Sequence, residues 1–175
     1  GGIMVQGYKA SRNGRVFMAQ AIVTAPVIWT TEAGTGGPLL WNGTSGATAV
    51  MARLLAVGVG ITVVSTVAAA LGITGGPGQT AAPTSTTAID STANLLIGGG
   101  ASACTAYRIG TTVDNKFFLP FAHVHTGALT TGSGAMTWID LGGVISIPPS
   151  SYAAIAASAT ASTLVAQMCL IWEEV

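Results

Sequence analysis

Charged side chains are scarce in this sequence. Six Lys and Arg and six Asp and Glu residues make up 7% of the 175 residues, and the formal net charge is zero, whereas about 25% is usual for a soluble domain. A basic nucleic-acid-binding surface is therefore not expected. Disorder is also excluded, because disordered chains are poor in hydrophobic residues and this chain is 50% hydrophobic. So much apolar surface must be covered by copies of the chain, by another protein or by lipid.

Residues and motifs that carry chemistry are few as well. Cys104 and Cys169 lie in apolar surroundings without a CxxC spacing, which predicts two buried free thiols rather than a disulfide or a metal site. The sequence has no GxSxG motif and no P-loop. Aromatic residues, at 6%, are too few for the platforms of a glycosidase cleft. We therefore predict a non-enzymatic protein without a cofactor.

Strand-forming and turn-forming residues fill the remaining sequence. Thr, Val and Ile favour strands, and 24 Gly and 7 Pro supply frequent turns. No segment has the pattern of an amphipathic helix. The length suits one domain. The sequence thus predicts an all-β protein, a single jelly-roll or β-sandwich of about eight to ten short antiparallel strands over residues 20–175, with an extended N-terminal arm over 1–19.

Turn clusters divide the domain into candidate strands. Asn42-Gly43 predicts a hairpin turn, Pro26 an edge position or bulge, and 72–87 an exposed loop between two halves of the domain. The candidate strands are 20–31, 39–42, 48–57, 59–70, 88–97, 104–110, 116–125, 136–141, 144–147, 152–157 and 164–172.

One uncharged run permits a different interpretation. Residues 54–73 are long enough for a transmembrane helix. They are, however, rich in Gly, Thr and Val, lack flanking basic clusters and aromatic belts, and alternate large with small residues between Val57 and Val64. Two buried strands are the favoured prediction, and no membrane partner is expected.

The N-terminal arm holds three of the six basic residues. Lys9, Arg12 and Arg15, together with Tyr8, are candidates for docking onto an acidic neighbouring surface or onto nucleic acid, although three charges are few. A solvated terminus is the alternative.

His123-Val124-His125 is the one motif that invites a metal hypothesis. On a strand both imidazoles point to the same side, where they are placed to share an ion. Because structural metal sites usually need four good ligands and no third ligand is evident, two hydrogen-bonded histidines are the favoured interpretation.

Aromatic residues supply the remaining interface candidates. Phe117, Phe118 and Phe121 form the densest aromatic run, which suits a core strand, an interface anchor or both. Trp172 in the last candidate strand is a further interface candidate. The adjacent Glu173 and Glu174 are interpreted as a solubilising end.

The last third of the chain resembles the single jelly-roll virion proteins of tailed bacteriophages, namely capsid decoration (cement) proteins and head- or tail-fibre modules. The residues that carry this resemblance are the strand and Pro-containing turn of 144–152, the Ala/Ser/Thr-rich segment after it and the closing strand 165–175. The resemblance implies a trimer on a capsid lattice, located at the virion surface, with the chain itself and a major capsid or other virion protein as partners. A receptor- or glycan-binding fibre tip on the same fold is the alternative, and a small membrane-anchored protein using 54–73 is a second.

Overall fold

The computed structural model describes residues 13–30, 37–65, 67–77, 87–88, 92–109, 115–124, 136–161 and 163–175. Across these ranges the chain forms eleven β-strands and one short 3-10 turn, Gly46–Thr48. The strands are β1 (Val16–Thr24), β2 (Leu39–Asn42), β3 (Ala52–Val63), β4 (Ala69–Gly76), β5 (Thr87–Ala88), β6 (Thr92–Asn94), β7 (Thr105–Ile109), β8 (Phe117–Val124), β9 (Met136–Ile147), β10 (Ser151–Ala157) and β11 (Val165–Glu174).

The strands form two antiparallel sheets packed as a sandwich. The five-stranded sheet has the order β6-β1-β11-β3-β9, and the six-stranded sheet has the order β5-β7-β2-β10-β4-β8. Strand β1 pairs with β11, β2 with β10, β3 with β9 and β4 with β8. Pairing the first strand with the last, and each later strand with its counterpart, is one long hairpin rolled up, the topology of a jelly roll. The predicted all-β jelly-roll sandwich is confirmed, with eleven described strands instead of eight to ten.

Alternation along the strands places the core between the sheets. In β1 the side chains of Phe17, Ala19 and Val23 are buried, whereas Gln20 and Ile22 on the opposite side are exposed. Phe17 lies opposite Trp172 of β11 and stacks on it with ring centroids 5.9 Å apart. The central strand β10 is buried along its whole length, which suits its run of alanines.

The uncharged run 54–73 lies in strands. It covers most of β3 and the first part of β4, which belong to different sheets. In the part of the chain that the structure describes, there is no helix with the length and apolar character needed to cross a membrane. The favoured prediction of two strands within this run is confirmed.

Glycines that were predicted to end strands lie inside them. Strand β3 continues through Gly58, where a Cβ atom would lie 2.7 Å from the ring of Trp138. Gly72, predicted to open a long loop, is inside β4, where a Cβ atom would lie 2.6 Å from the ring of Phe118. The predicted break after Val57 and the loop assignment of 72–76 were wrong, because these glycines make room for aromatic rings of neighbouring strands.

Two turn signals were also misjudged. The strand predicted over 20–31 ends at Thr24, and Ala25, in the left-handed region with φ of 51°, precedes Pro26. Asn42-Gly43 does not form a hairpin, because β2 and β3 belong to different sheets. Asn42 is fully buried, and its amide nitrogen donates to the carbonyl oxygens of Val50 at 2.7 Å and Ile147 at 2.8 Å.

Other strand boundaries differ from the prediction as well. Strand β1 begins at Val16, so the last residues assigned to the arm belong to the sandwich. Residues 88–97, predicted as one strand, contain the end of β5, then β6, and then a turn. Strand β9 is continuous where two strands were predicted, with Gly142 and Gly143 at positive φ in a bulge opposite β3.

Candidate functional site

The predicted docking residues of the arm are largely outside the described residues. Tyr8, Lys9 and Arg12 fall there, so the docking arm stays a prediction. Arg15 is described and exposed just before β1, and its backbone carbonyl accepts a hydrogen bond from the backbone N–H of Glu174 at 2.9 Å.

The three phenylalanines of β8 have different surroundings. Phe117 is 39% exposed. Phe118 stacks on Trp29 with ring centroids 5.4 Å apart, and Phe121 packs against the core. Of the predicted aromatic anchor, Phe117 is the member with the most surface for a partner.

His123 is exposed on β8, opposite Ala70 of β4, beside a shallow hollow that Ser158 also lines. His125 lies outside the described residues. Among the residues that the structure describes, no three His, Cys, Asp or Glu side chains form a group able to hold a metal ion.

The carboxylate of Glu174 is a buried hydrogen-bond acceptor, which contradicts its assignment to a solubilising end. It accepts hydrogen bonds from the Ser102 hydroxyl, from the backbone N–H groups of Ala103 at 3.0 Å and Cys104 at 3.1 Å, and from the indole N–H of Trp172 at 3.3 Å. Glu173 is also buried, with an oxygen 3.7 Å from the Arg53 guanidinium. Glu174 thus fastens the end of β11 to the segment before β7.

Trp172 is a core residue. Its side chain is fully buried against Phe17. The structure therefore contradicts Trp172 as an interface residue, because no part of its ring reaches the surface.

The environments of the two cysteines suppress thiol reactivity. Both are buried and free, as predicted. Burial, and then the charge and hydrogen bond of Glu174, raise the pKa of Cys104 to about 12, and burial also raises the pKa of Cys169. Because the thiolate is the nucleophile, we expect both buried thiols to react slowly at neutral pH.

An exposed aliphatic loop follows β6. Leu95, Leu96 and Ile97 are 40%, 39% and 99% exposed, and we call these three residues the aliphatic loop. Asn94 holds the loop in shape: its amide nitrogen donates to the carbonyls of Gly14 at 2.9 Å and Gly100 at 2.8 Å, and its oxygen accepts the N–H of Leu96 at 2.9 Å. These residues fall within the predicted strand 88–97, so the loop was not predicted from the sequence.

An apolar cleft opens between the sheets where β9 ends and β8 begins. Its volume is about 240 Å³. The lining includes Pro77, Phe117, Ile145, Ile147, Pro148 and Tyr152. Among the described lining residues, Lys116 is the only charged one. We call this space the β8–β9 cleft.

The outer face of the five-stranded sheet carries one large aromatic side chain. Trp138 of β9 is 51% exposed and lies beside Gly58 of β3, with Cys169 of β11 on the other side of that glycine. Gln20 and Gln167 on the neighbouring strands are hydrogen-bonded at 3.5 Å, and Asp140 follows Trp138 two residues along β9. This face combines an aromatic ring with amide and carboxylate groups.

No protein-family model, curated protein or solved structure matches this chain.

Proposed function

We propose that the chain is a non-enzymatic structural subunit of a virion, a capsid decoration protein that acts as a trimer at the capsid surface. The observation that carries the proposal is the aliphatic loop together with the β8–β9 cleft, because both present apolar surface on a body with very few charges. Ile97 and Val144, at 99% and 78% exposed, are large apolar side chains at opposite edges of the five-stranded sheet. Interfaces between identical subunits bury surfaces of this kind.

The jelly-roll fold is compatible with a structural role but does not by itself identify the function. Rigid sheets leave loops and edges free for contacts, and the same fold serves capsid proteins and lectins. The proposed partners are other copies of the chain and a major capsid or other virion protein. The proposal involves no cofactor, nucleic acid or membrane.

The first experiment is an absolute mass measurement by light scattering after size exclusion, in detergent-free buffer. We expect a closed oligomer with three times the chain mass of 17.4 kDa. Its melting temperature should rise with protein concentration, since association stabilises the folded state by mass action. A monodisperse monomer with a concentration-independent melting temperature would contradict the proposal.

Attachment to the capsid is tested separately. Antibodies raised against the folded chain should label intact virions of the virus that encodes it. If the chain forms an oligomer but the antibodies label no virion, self-association stands and the capsid role is contradicted.

Glycan binding is a second candidate function, favoured by the outer face that carries Trp138. Aromatic rings bind sugars with their faces, and nearby amides and carboxylates supply hydrogen bonds. A glycan array probed with the native chain and with Trp138→Ala decides this: binding that the substitution abolishes supports the candidate, and an array without hits contradicts it.

A further inference from the structure

We propose that the aliphatic loop of one copy inserts into the β8–β9 cleft of the next copy, so that subunits associate head to tail. The inference rests on the self-association proposed above and identifies the two surfaces that make it.

The loop has the properties of a preformed anchor. Ile97 is 99% exposed, yet the turn that presents it is held by the three hydrogen bonds of Asn94 and by a bond from Gly99 N–H to the Leu96 carbonyl at 2.8 Å. An anchor that is already ordered loses little conformational entropy when it binds. An exposed isoleucine on a stiff turn therefore favours insertion into an apolar space.

The cleft has suitable size and chemistry for such a side chain. Its volume of about 240 Å³ exceeds that of an apolar cavity of about 150 Å³ that accepts benzene. The aliphatic loop and the residues beside it, 94–100, contain no charged residue, and Lys116 is the only charged residue among the described lining. Pressing the loop into the cleft thus buries apolar atoms against apolar atoms and opposes no like charges.

The two surfaces lie at the same end of the sandwich but at opposite edges. This end is where β1 begins and β11 ends; β6 runs antiparallel to β1 and leads into the loop there. Strand β9 also ends there, since its Ile147 pairs with Ala52 at the start of β3. In the five-stranded sheet, β6 is one edge and β9 is the other.

This placement permits a heterologous contact, which we propose. Copies set side by side bring the β6 edge of one next to the β9 edge of another, and the same contact repeats around a ring if the rotation closes. A trimer is the smallest such ring. A two-fold contact would instead place the loop of each copy in the cleft of the other, and assembly would stop at a dimer.

Cysteine cross-linking tests the direction of the contact. The probes are Ile97→Cys in the loop and Ser146→Cys at the exposed rim of the cleft. Under mild oxidation, chains with both substitutions should form covalent oligomers up to the full ring, and a mixture of the two single variants should form dimers only. The native thiols are buried and should stay reduced.

Controls separate this inference from the proposed function. Val67→Cys, which introduces an exposed thiol at the opposite end of the sandwich, should give no cross-link. Ile97→Asp should weaken self-association about tenfold or more, as the loss of a central apolar anchor does, whereas Val67→Asp should leave it unchanged.

Each outcome has a distinct meaning. Cross-linking of Ile97→Cys chains to each other would replace the head-to-tail contact by a two-fold one and overturn the inference. If Ile97→Asp changes neither the mass nor the stability of the oligomer, the inference is overturned and the proposed function is preserved. A wild-type monomer at every concentration would overturn both.

Discussion

Replacing Glu174 with alanine should destabilise the fold far more than the same change at Glu173, although the two residues are adjacent and both buried. The alanine removes the acceptor for the Trp172 indole N–H, which is fully buried. A buried donor left without a partner costs about 1–3 kcal/mol.

The other donors are less affected. Cys104 N–H keeps the Ser102 hydroxyl oxygen at 3.1 Å, and the Ser102 hydroxyl can turn to the Cys104 carbonyl at 2.8 Å. Ala103 is exposed, so water replaces the carboxylate at its N–H. Including the lost charge-assisted bonds, we expect Glu174→Ala to lower the free energy of unfolding by about 2–4 kcal/mol.

Glu173→Ala is the matched control. Its oxygen lies 3.7 Å from an Arg53 side chain that is 45% exposed, and such pairs contribute about 0–1 kcal/mol. Glu174→Gln should give an intermediate loss, because the amide oxygen keeps the contacts of one carboxylate oxygen while its NH₂ group faces a donor.

The assay is urea denaturation followed by tryptophan fluorescence at one protein concentration, because association contributes to stability. Equal losses for Glu173→Ala and Glu174→Ala would refute the assignment of Glu174 as a structural acceptor.

Two further predictions concern the thiols. A thiol-specific reagent at neutral pH should label neither cysteine of the native protein. Trp138→Ala should open Cys169 to labelling while Cys104 stays protected, and equal labelling of both sites would contradict the positions described for them. The folded-state pKa of Cys104, about 12, exceeds its ordinary value of 9.0, so unfolded chains lose this proton first as pH rises. The stability that the protonated Cys104 thiol contributes is therefore complete below pH 9 and falls between pH 9 and 12. In that range, Cys104→Ala should make the free energy of unfolding fall less steeply with pH. An unchanged slope would argue against the raised pKa of Cys104.

Local sequence signals predicted the fold class and many strands. Leu39–Asn42 was predicted at both boundaries, and the strands around β8, β10 and β11 differed by a few residues. Alternation and turn residues are properties of the sequence near each strand, so they predict strands without knowledge of distant contacts. Gly58 and Gly72 misled because each is paired with an aromatic ring contributed by a distant segment.

The candidate sites were harder to predict for the same reason. Glu174 is buried by Ser102, Ala103 and Cys104, which lie about 70 residues earlier in the sequence. The β8–β9 cleft combines residues from four strands and the segments beside them. Leu95–Ile97 resemble a strand by composition, and only the fixed turn at Asn94 makes them a protruding loop.

The rolled-hairpin topology has a kinetic consequence. Strand β11 lies between β1 and β3 in the five-stranded sheet, and its residues are synthesised long after either neighbour. During translation the apolar faces of β1 and β3 must therefore wait for a distant partner. Such non-local pairing folds slowly and exposes intermediates to aggregation. Selection on this chain should thus act on folding speed and chaperone access, and substitutions in β11 should slow refolding more than equally destabilising substitutions in β7.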